Sequence, residues 1–544
     1  DGRIGHGEQA VSTRAEAARA EAATAQTATA QTATAQTTTA QTTTAQTAPG
    51  GAAPPPAVSA PPSALGGTTL RGLVWLSGAR WAAQIFAWAS TLVIARLLAP
   101  EDYGLVAMAT ALTAFLEVST DLGLGSSLVQ TRDVTRRDVE ATMGATCLLG
   151  AAAAILLALT APLWAHVQGD DRIVPIVRWL AVGVFVGTVL NVPYSMLHRR
   201  LAFGLVGRAQ FVRGTVTAAV TLGAAFWLQS HWALVVGHLV GKAAFTAILM
   251  WAEPIRPRLP GRDTNVAKLL RFGGILTADR MLNHARGSID VALIGALLGT
   301  RMVGLYVMAI ALARLPLEKL GSAFEPVAYP TFARMRDDKP ALRRYFLGLT
   351  MGTMSIALPA AFGLIVTAAL LVPAIIGSQW SAVVLPLQVA AIVTPLAFHL
   401  TLVNALFNAM GRVDLNLRIT TLTSVLTIVA VIASVPLGIV GVAAATGIAF
   451  SIVWVYAELL ALRMIDLRAT EALRSLLPTF SASIGMAISV IAMAILLPSD
   501  WPAILRLAIE CVTGIGTYVG WAFLLHRDTV VHQIRSLRTA WSAP

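Results

Sequence analysis

The residues of this chain whose types and spacing could do chemistry are arginines and carboxylates set inside long apolar runs. The stretch LTADRMLNHARGSIDVALIG (276–295) carries two arginines, two aspartates and a histidine, with apolar sequence around them. Helical spacing puts Asp279, Asn283, Arg286 and Asp290 on one face, at i, i+4, i+7 and i+11. Arg314, Glu318 and Glu325 share a face further on, with Lys319 beside them. Arg80 and Gln84 form a similar pair near the first apolar run, Glu117 and Asp121 one in the second, Gln210 and Arg213 in the fifth, and His238 and Lys242 in the sixth. A charge at mid-bilayer costs about 2.5–3.5 kcal/mol even on the mildest scale, so such groups face protein or a water-filled cavity. Guanidinium forks match phosphate oxygens. Arg80, Arg280, Arg286 and Arg314, with Gln84 and Asn283, are therefore the expected walls of a cavity for an anionic head group, such as a pyrophosphate bearing sugars. Asp121, Asp279, Asp290 and Glu318 are the candidates for ion coupling. For Glu117, Glu253, Glu458 and Glu510, interhelical ion pairing or snorkelling to the interface is as good a reading.

These positions need helices that cross a membrane. Of 544 residues, 56% are hydrophobic and only 12% charged, and the mean hydropathy is +0.69. Apolar stretches of about 20 residues, the length that spans a ~30 Å hydrocarbon core, recur from Leu73 almost to the C-terminus. They are too long and too unbroken for barrel strands. The fold class expected is an all-α polytopic membrane protein with about fourteen spans. Residues 1–69 differ: five TAQT(A/T) pentamers run from Thr24 to Ala48 and a Pro/Gly/Ala stretch follows. They hold too little apolar surface to offset ordering entropy and are read as a disordered cytoplasmic tail without a signal peptide.

The formal charge of +12 does not point to nucleic acid, because the basic residues fall in alternate short loops. With the N-terminus inside, the inside loops and the C-terminal tail hold about 24 Lys and Arg, and the outside loops only Arg172 and Arg301. The positive-inside rule then puts both termini in the cytoplasm. The outside loops are all short, which argues against a catalytic or receptor domain there.

An offset of 200 residues lays 76–112 over 276–312 without gaps, with 11 of 37 positions identical. Among them are Leu97/Leu297, Gly104/Gly304, Leu105/Leu305, Met108/Met308, Ala109/Ala309 and Arg80/Arg280. Six spans separate equivalent points, so the halves share an orientation, as in two-lobed transporters with a site at the lobe interface. The expected plan is a six-helix lobe at 70–252, a cytoplasmic linker at 253–267, a second six-helix lobe at 268–463, helices 13 and 14 at 464–525 and a cytoplasmic tail at 526–544.

Several other signals carry little. GHLVGK (237–242) lacks the spacing and the hydroxyl of a phosphate loop, and Gly237/Gly241 reads as close helix packing. The nine histidines show no metal-ligand spacing, and no nucleophile–base grouping stands out. Cys147 and Cys511, the only cysteines, fall within spans and read as small core residues. No catalytic residues, metal or cofactor are expected.

RLLAPEDYGLVAM (96–108), DLGLGSSLVQ (121–130), VPYSMLHRRLAFGLVGR (192–208), LLRFGGIL (269–276), IDVALIGALLGTRMVGLYVMA (289–309), FARMRDD (332–338) and ALFNAMGRVDLNLR (405–418) resemble the polysaccharide transporter branch of the multidrug/oligosaccharidyl-lipid/polysaccharide flippase superfamily. Ser288 departs from that pattern, where an asparagine is expected. The resemblance covers approximately 70–525. It implies two six-helix lobes around a central cavity in a bacterial plasma membrane, and alternating-access transfer of an undecaprenyl-pyrophosphate-linked oligosaccharide for exopolysaccharide, O-antigen or capsule. It also implies arginines on the pyrophosphate, and a glycan polymerase with chain-length and export machinery as downstream partners. The competing readings are a cation-coupled exporter of drugs or small molecules from the same superfamily and, from another class, a membrane glycan polymerase or ligase.

Overall fold

The structure is a computed structural model that describes residues 86–121, 125, 128–129, 134–259 and 288–542. All of them belong to one compact unit, Trp75–Pro544. Among the described residues the elements are α-helices joined by short turns, 3-10 turns and one π-turn. The first set comprises α1 (Phe86–Leu97), α2 (Pro100–Asp121), α3 (Arg136–Gln168), α4 (Ile173–Arg199), α5 (Phe203–Leu228) and α6 (Trp232–Ala252). The second comprises α7 (Ser288–Leu298), α8 (Thr300–Arg334), α9 (Lys339–Leu371), α10 (Val384–Ala409), α11 (Val413–Ser434), α12 (Gly438–Met464), α13 (Ala469–Leu496) and α14 (Ala503–Ser542).

Helices are the open-ended elements that satisfy every backbone group inside a bilayer. The caps that fix their ends sit in the loops. Thr135 and Asp138 form a reciprocal capping box at the start of α3, and the Asp338 side chain accepts from the Ala341 N–H at the start of α9. Pro162, Pro193, Pro359, Pro395 and Pro478 lie inside helices, where neighbouring helices can compensate for the missing N–H.

Among the described residues, ten segments are long and apolar enough to cross a membrane, one of them the 52-residue run Val413–Met464 through α11 and α12. Only 17–50% of the most apolar window of each is buried within the chain. The rest turns large apolar side chains outward, with Leu159, Trp227, Ile495 and Leu524 more than 70% exposed. That surface suits lipid rather than water, and the chain is a multi-pass membrane protein.

In the first set α5 packs on α6, α3 on α4, and α4 also on α2 and α6. In the second, α10 is central and touches α8, α9 and α12, while α13 packs on α9 and α14. The sets meet chiefly along α2 and α8. There Leu105, Met108 and Ala109 share one buried cluster with Leu305, Met308 and Ala309. The crossing is reciprocal: the backbone of Thr300 occupies the space a side chain on Gly104 would need, and that of Pro100 the space of one on Gly304.

One expectation needs correcting. Cys511 is exposed rather than part of the core, and Cys147 is only half-buried; both are free thiols. The helix α14 continues to Ser542, so most of 526–544 is helical. Val530, Ile534, Leu537 and Trp541 recur there at helical spacing among polar residues, a pattern that favours an amphipathic helix.

Candidate functional site

Among the described residues, four groups of charged and polar side chains stand out. Lys242 of α6 is buried and reaches Glu117 of α2 at 2.5 Å. Gly187 of α4 leaves room for this pair, since a Cβ there would collide with the Lys242 stem. The ion-pair reading of Glu117 is therefore the one the structure supports. Glu253 likewise pairs with Arg200 at 2.6 Å, and Glu510 is buried.

A second group lies along the α5–α6 seam. Thr221 fills the space beside Gly237, Thr217 that beside Gly241, and the Arg213 guanidinium lies over the Phe245 ring at 5.6 Å. These three pairs step by four residues in opposite directions along the two helices, which fixes an antiparallel register. The small-residue spacing of Gly237/Gly241 is thus helix packing. Gln210, Arg213 and His238 line a cavity within the first set.

The third group ties the two sets together. Glu101 pairs with Arg301 at 2.5 Å, across an offset of 200 residues. The Thr300 hydroxyl donates to Asp170 at 2.8 Å, and Arg172 also binds that carboxylate at 2.8 Å. Those contacts, led by the Arg172 hydrogen bond, hold the Asp170 carboxyl below its ordinary range despite its burial. Trp380 donates to the Ala95 carbonyl at 2.7 Å, Gln379 to that of Arg96 at 3.0 Å, and Arg96 to that of Ala374 at 3.2 Å. Gln168 at the end of α3 donates to the Ala292 carbonyl of α7 at 3.2 Å. Every described side-chain hydrogen bond or ion pair between the sets belongs to this group, at the end of the bundle where α2 and α8 begin. The opposite, basic end is held only within each set among the described residues, for example by Arg200–Glu253 and Lys339–Asp466.

Of the fourth group, the sequence points to Glu458 alone. His399 of α10 is buried, with Thr350 of α9 at 3.1 Å from Nε2 and Trp454 of α12 donating to Nδ1 at 3.3 Å. Glu458, one turn along α12 from Trp454, lies 3.5 Å from the same nitrogen. A lone histidine in an apolar run gives no periodic signal, because its partners come from other helices.

Of the expected site residues, Asp290 accepts from the Tyr306 hydroxyl at 3.0 Å and from the Val291 N–H at 2.8 Å. Arg314, two turns beyond Tyr306, is exposed. Asp121 and Glu318 are placed on α2 and α8 by their backbones. Arg80, Gln84, Asp279, Arg280, Asn283 and Arg286 lie outside the described residues. No group of three or more His, Cys, Asp or Glu side chains gathers at metal-binding distance among the described residues.

Comparison with known proteins places these helices. Residues 93–385 match the family described as "Polysaccharide biosynthesis protein". The "Lipopolysaccharide biosynthesis protein WzxC" of Escherichia coli is 25% identical over 66% of this chain and 74% of its own length. The "Teichuronic acid biosynthesis protein TuaB" of Bacillus subtilis is 25% identical over 56% of this chain and 63% of its own. Among solved structures, "Lipid II flippase MurJ, inward closed conformation" superposes with a TM-score of 0.70 at 14% identity, covering 84% of this chain and all of that one. An inward-facing MATE-family transporter of the MOP superfamily gives 0.55 at 16% identity, covering 70% of this chain and 94% of that one. At such identities the two superpositions speak for the fold alone.

Proposed function

For this chain, which belongs to the polysaccharide biosynthesis protein family, we propose the role of a flippase that moves a lipid-linked oligosaccharide across the bacterial plasma membrane by alternating access. The observation that carries the reading is that the family match falls on two helix sets whose described side-chain hydrogen bonds and ion pairs to each other gather at one end. A flippase must open a path between two lobes to one side while the other side stays closed. With both termini in the cytoplasm, the fastened end faces outward and the basic end inward. The undecaprenyl-pyrophosphate carrier class follows from the same reading, since pyrophosphate is a substrate that cavity arginines can grip with two parallel hydrogen bonds.

In this reading the two lobes are 70–252 and 268–463, and Arg80, Arg280, Arg286 and Arg314, with Gln84 and Asn283, bind the anionic head group. Asp290, already engaged by Tyr306, is the coupling candidate whose surroundings are described. A glycan polymerase working on the outer face is the expected recipient of the product.

Deletion of the gene in its native host tests the role. Accumulation of a glycan intermediate on the inner leaflet, relieved by the wild-type gene, is the expected result. Normal surface polysaccharide without accumulation would sink the proposal. In the same complementation, Arg80→Ala or Arg280→Ala is expected to abolish export while expression persists, and Arg→Lys to rescue poorly because Lys lacks the planar fork. Full export by both alanine variants would remove these two residues from the mechanism.

A further inference from the structure

The second helix set encloses a titratable pair that the transport reading leaves unused. His399 of α10 is 1% exposed, and Glu458 of α12 lies against it with Oε2 3.5 Å from Nδ1. That carboxyl oxygen is buried and has no hydrogen-bond partner. Glu458 stands six residues from the end of α12 and His399 ten from the end of α10, roughly 9 and 15 Å along the axes at the helical rise. Neither residue is among the carboxylates expected to couple ions.

The ring contacts restrict where protons can sit. The Trp454 indole N–H can only donate, and it points at Nδ1 from 3.3 Å, so Nδ1 keeps its lone pair. The Thr350 hydroxyl, 3.1 Å from Nε2, takes the N–H of the neutral ring. An ionised Glu458 would then turn a bare carboxylate oxygen toward a lone pair, with no donor of its own. A buried charge needs a partner, and no described arginine or lysine lies within ion-pair distance of Glu458. On the neighbouring helices Lys339 is paired with Asp466, Arg343 donates to the Ile465 carbonyl, and Arg314, Arg344 and Arg463 are exposed. Glu318, Lys319 and Glu325 of α8 are placed by their backbones alone. The acid form of Glu458 removes the conflict: it is neutral, and its O–H is a donor beside an acceptor.

We propose that His399 and Glu458 form a proton-binding site, which holds one proton on Glu458 in this conformation and can pass it to the ring. In that step the O–H bond of the acid breaks and an N–H bond forms at Nδ1, leaving an imidazolium beside a carboxylate. The Trp454 N–H then loses its acceptor and finds a new one in Glu458, one turn along the same helix. The place of the proton is thereby tied to the orientation of Trp454 between α10 and α12. The inference does not rest on the transport role, because it concerns the protonation of the purified protein.

The test is infrared spectroscopy of the full chain in detergent at neutral pH, reading the C=O stretch of protonated carboxyls apart from the bands of carboxylates. The expected result is that Glu458→Gln loses the intensity of one carboxylic acid per chain and leaves the carboxylate bands unchanged. Loss from the carboxylate bands instead, with the acid band intact, would overturn the site. Trp454→Phe vacates Nδ1 for the acid O–H, so the Glu458 band should move to lower frequency, or vanish if the proton crosses to the ring. An acid band unchanged in Trp454→Phe would show that Glu458 and Nδ1 share no proton, and would also overturn the proposal. If Glu458→Gln fails to fold, Trp454→Phe decides alone.

Discussion

The hydrogen bond from Trp454 favours one tautomer of His399. Trp454 can only donate, so Nδ1 accepts from it, and the neutral ring then presents Nε2–H to the Thr350 hydroxyl. Thr350→Val keeps the shape and removes the acceptor, leaving a buried N–H without a partner. A loss of about 1–3 kcal/mol follows for such an orphan, whereas Thr350→Ser should retain most of the stability; melting curves in detergent separate the two. Asp170 offers a test by pH. Its carboxyl is held low by Arg172 and by the Thr300 hydroxyl, so its contribution is complete at neutral pH. It is lost only as acid protonates the folded form, below the ordinary carboxylate range. The stability gap between wild type and Asp170→Asn should be flat around neutrality and close under strong acid; a gap that widens on acidification would contradict the assignment.

At the scale of elements, the α2–α8 crossing depends on two missing side chains. A Cβ on Gly304 would meet the backbone of Pro100, and one on Gly104 that of Thr300. Backbone has little freedom to yield, so Gly304→Val is expected to force the helices apart at a cost of about 1–3 kcal/mol. Gly223, on α5, has nothing within 4 Å of its would-be Cβ. Gly223→Ala should be neutral or stabilising by up to about 1 kcal/mol through helix propensity. Comparing the two melting temperatures tests the crossing; equal behaviour would show that the α2–α8 contact is slack. The repeat takes on a physical meaning at this scale as well. Gly104/Gly304, Leu105/Leu305, Met108/Met308 and Ala109/Ala309 are identical across the offset, and all stand at this crossing. Shared packing demands are enough to account for identity there.

At the scale of the whole molecule, transport by alternating access requires the fastened end to come apart. Cysteines at 101 and 301, with Cys147 and Cys511 replaced, can be joined by a short reversible bis-thiosulfonate reagent, because the native side chains touch at 2.5 Å. The linked protein is expected to stop exporting and to recover on reduction. Undiminished export by the linked form would show that the two sets need not separate at this end.

The sequence by itself determined that the chain is helical and crosses a membrane many times, because hydropathy over some 20 residues is a local property that a bilayer reads directly. The spacing of Gly237 and Gly241 was legible for the same reason: it depends on neighbours along the chain. The 200-residue offset was also visible, but its use was not, since nothing in the alignment says that Gly104 packs on the Thr300 backbone and Gly304 on that of Pro100. Only the tertiary structure decided the partners. Lys242 finds Glu117 across 125 positions, and His399 finds Thr350 and Trp454 on two other helices. Which faces of neighbouring helices meet is set by packing of the whole bundle, and one helix's sequence carries no record of the face opposite.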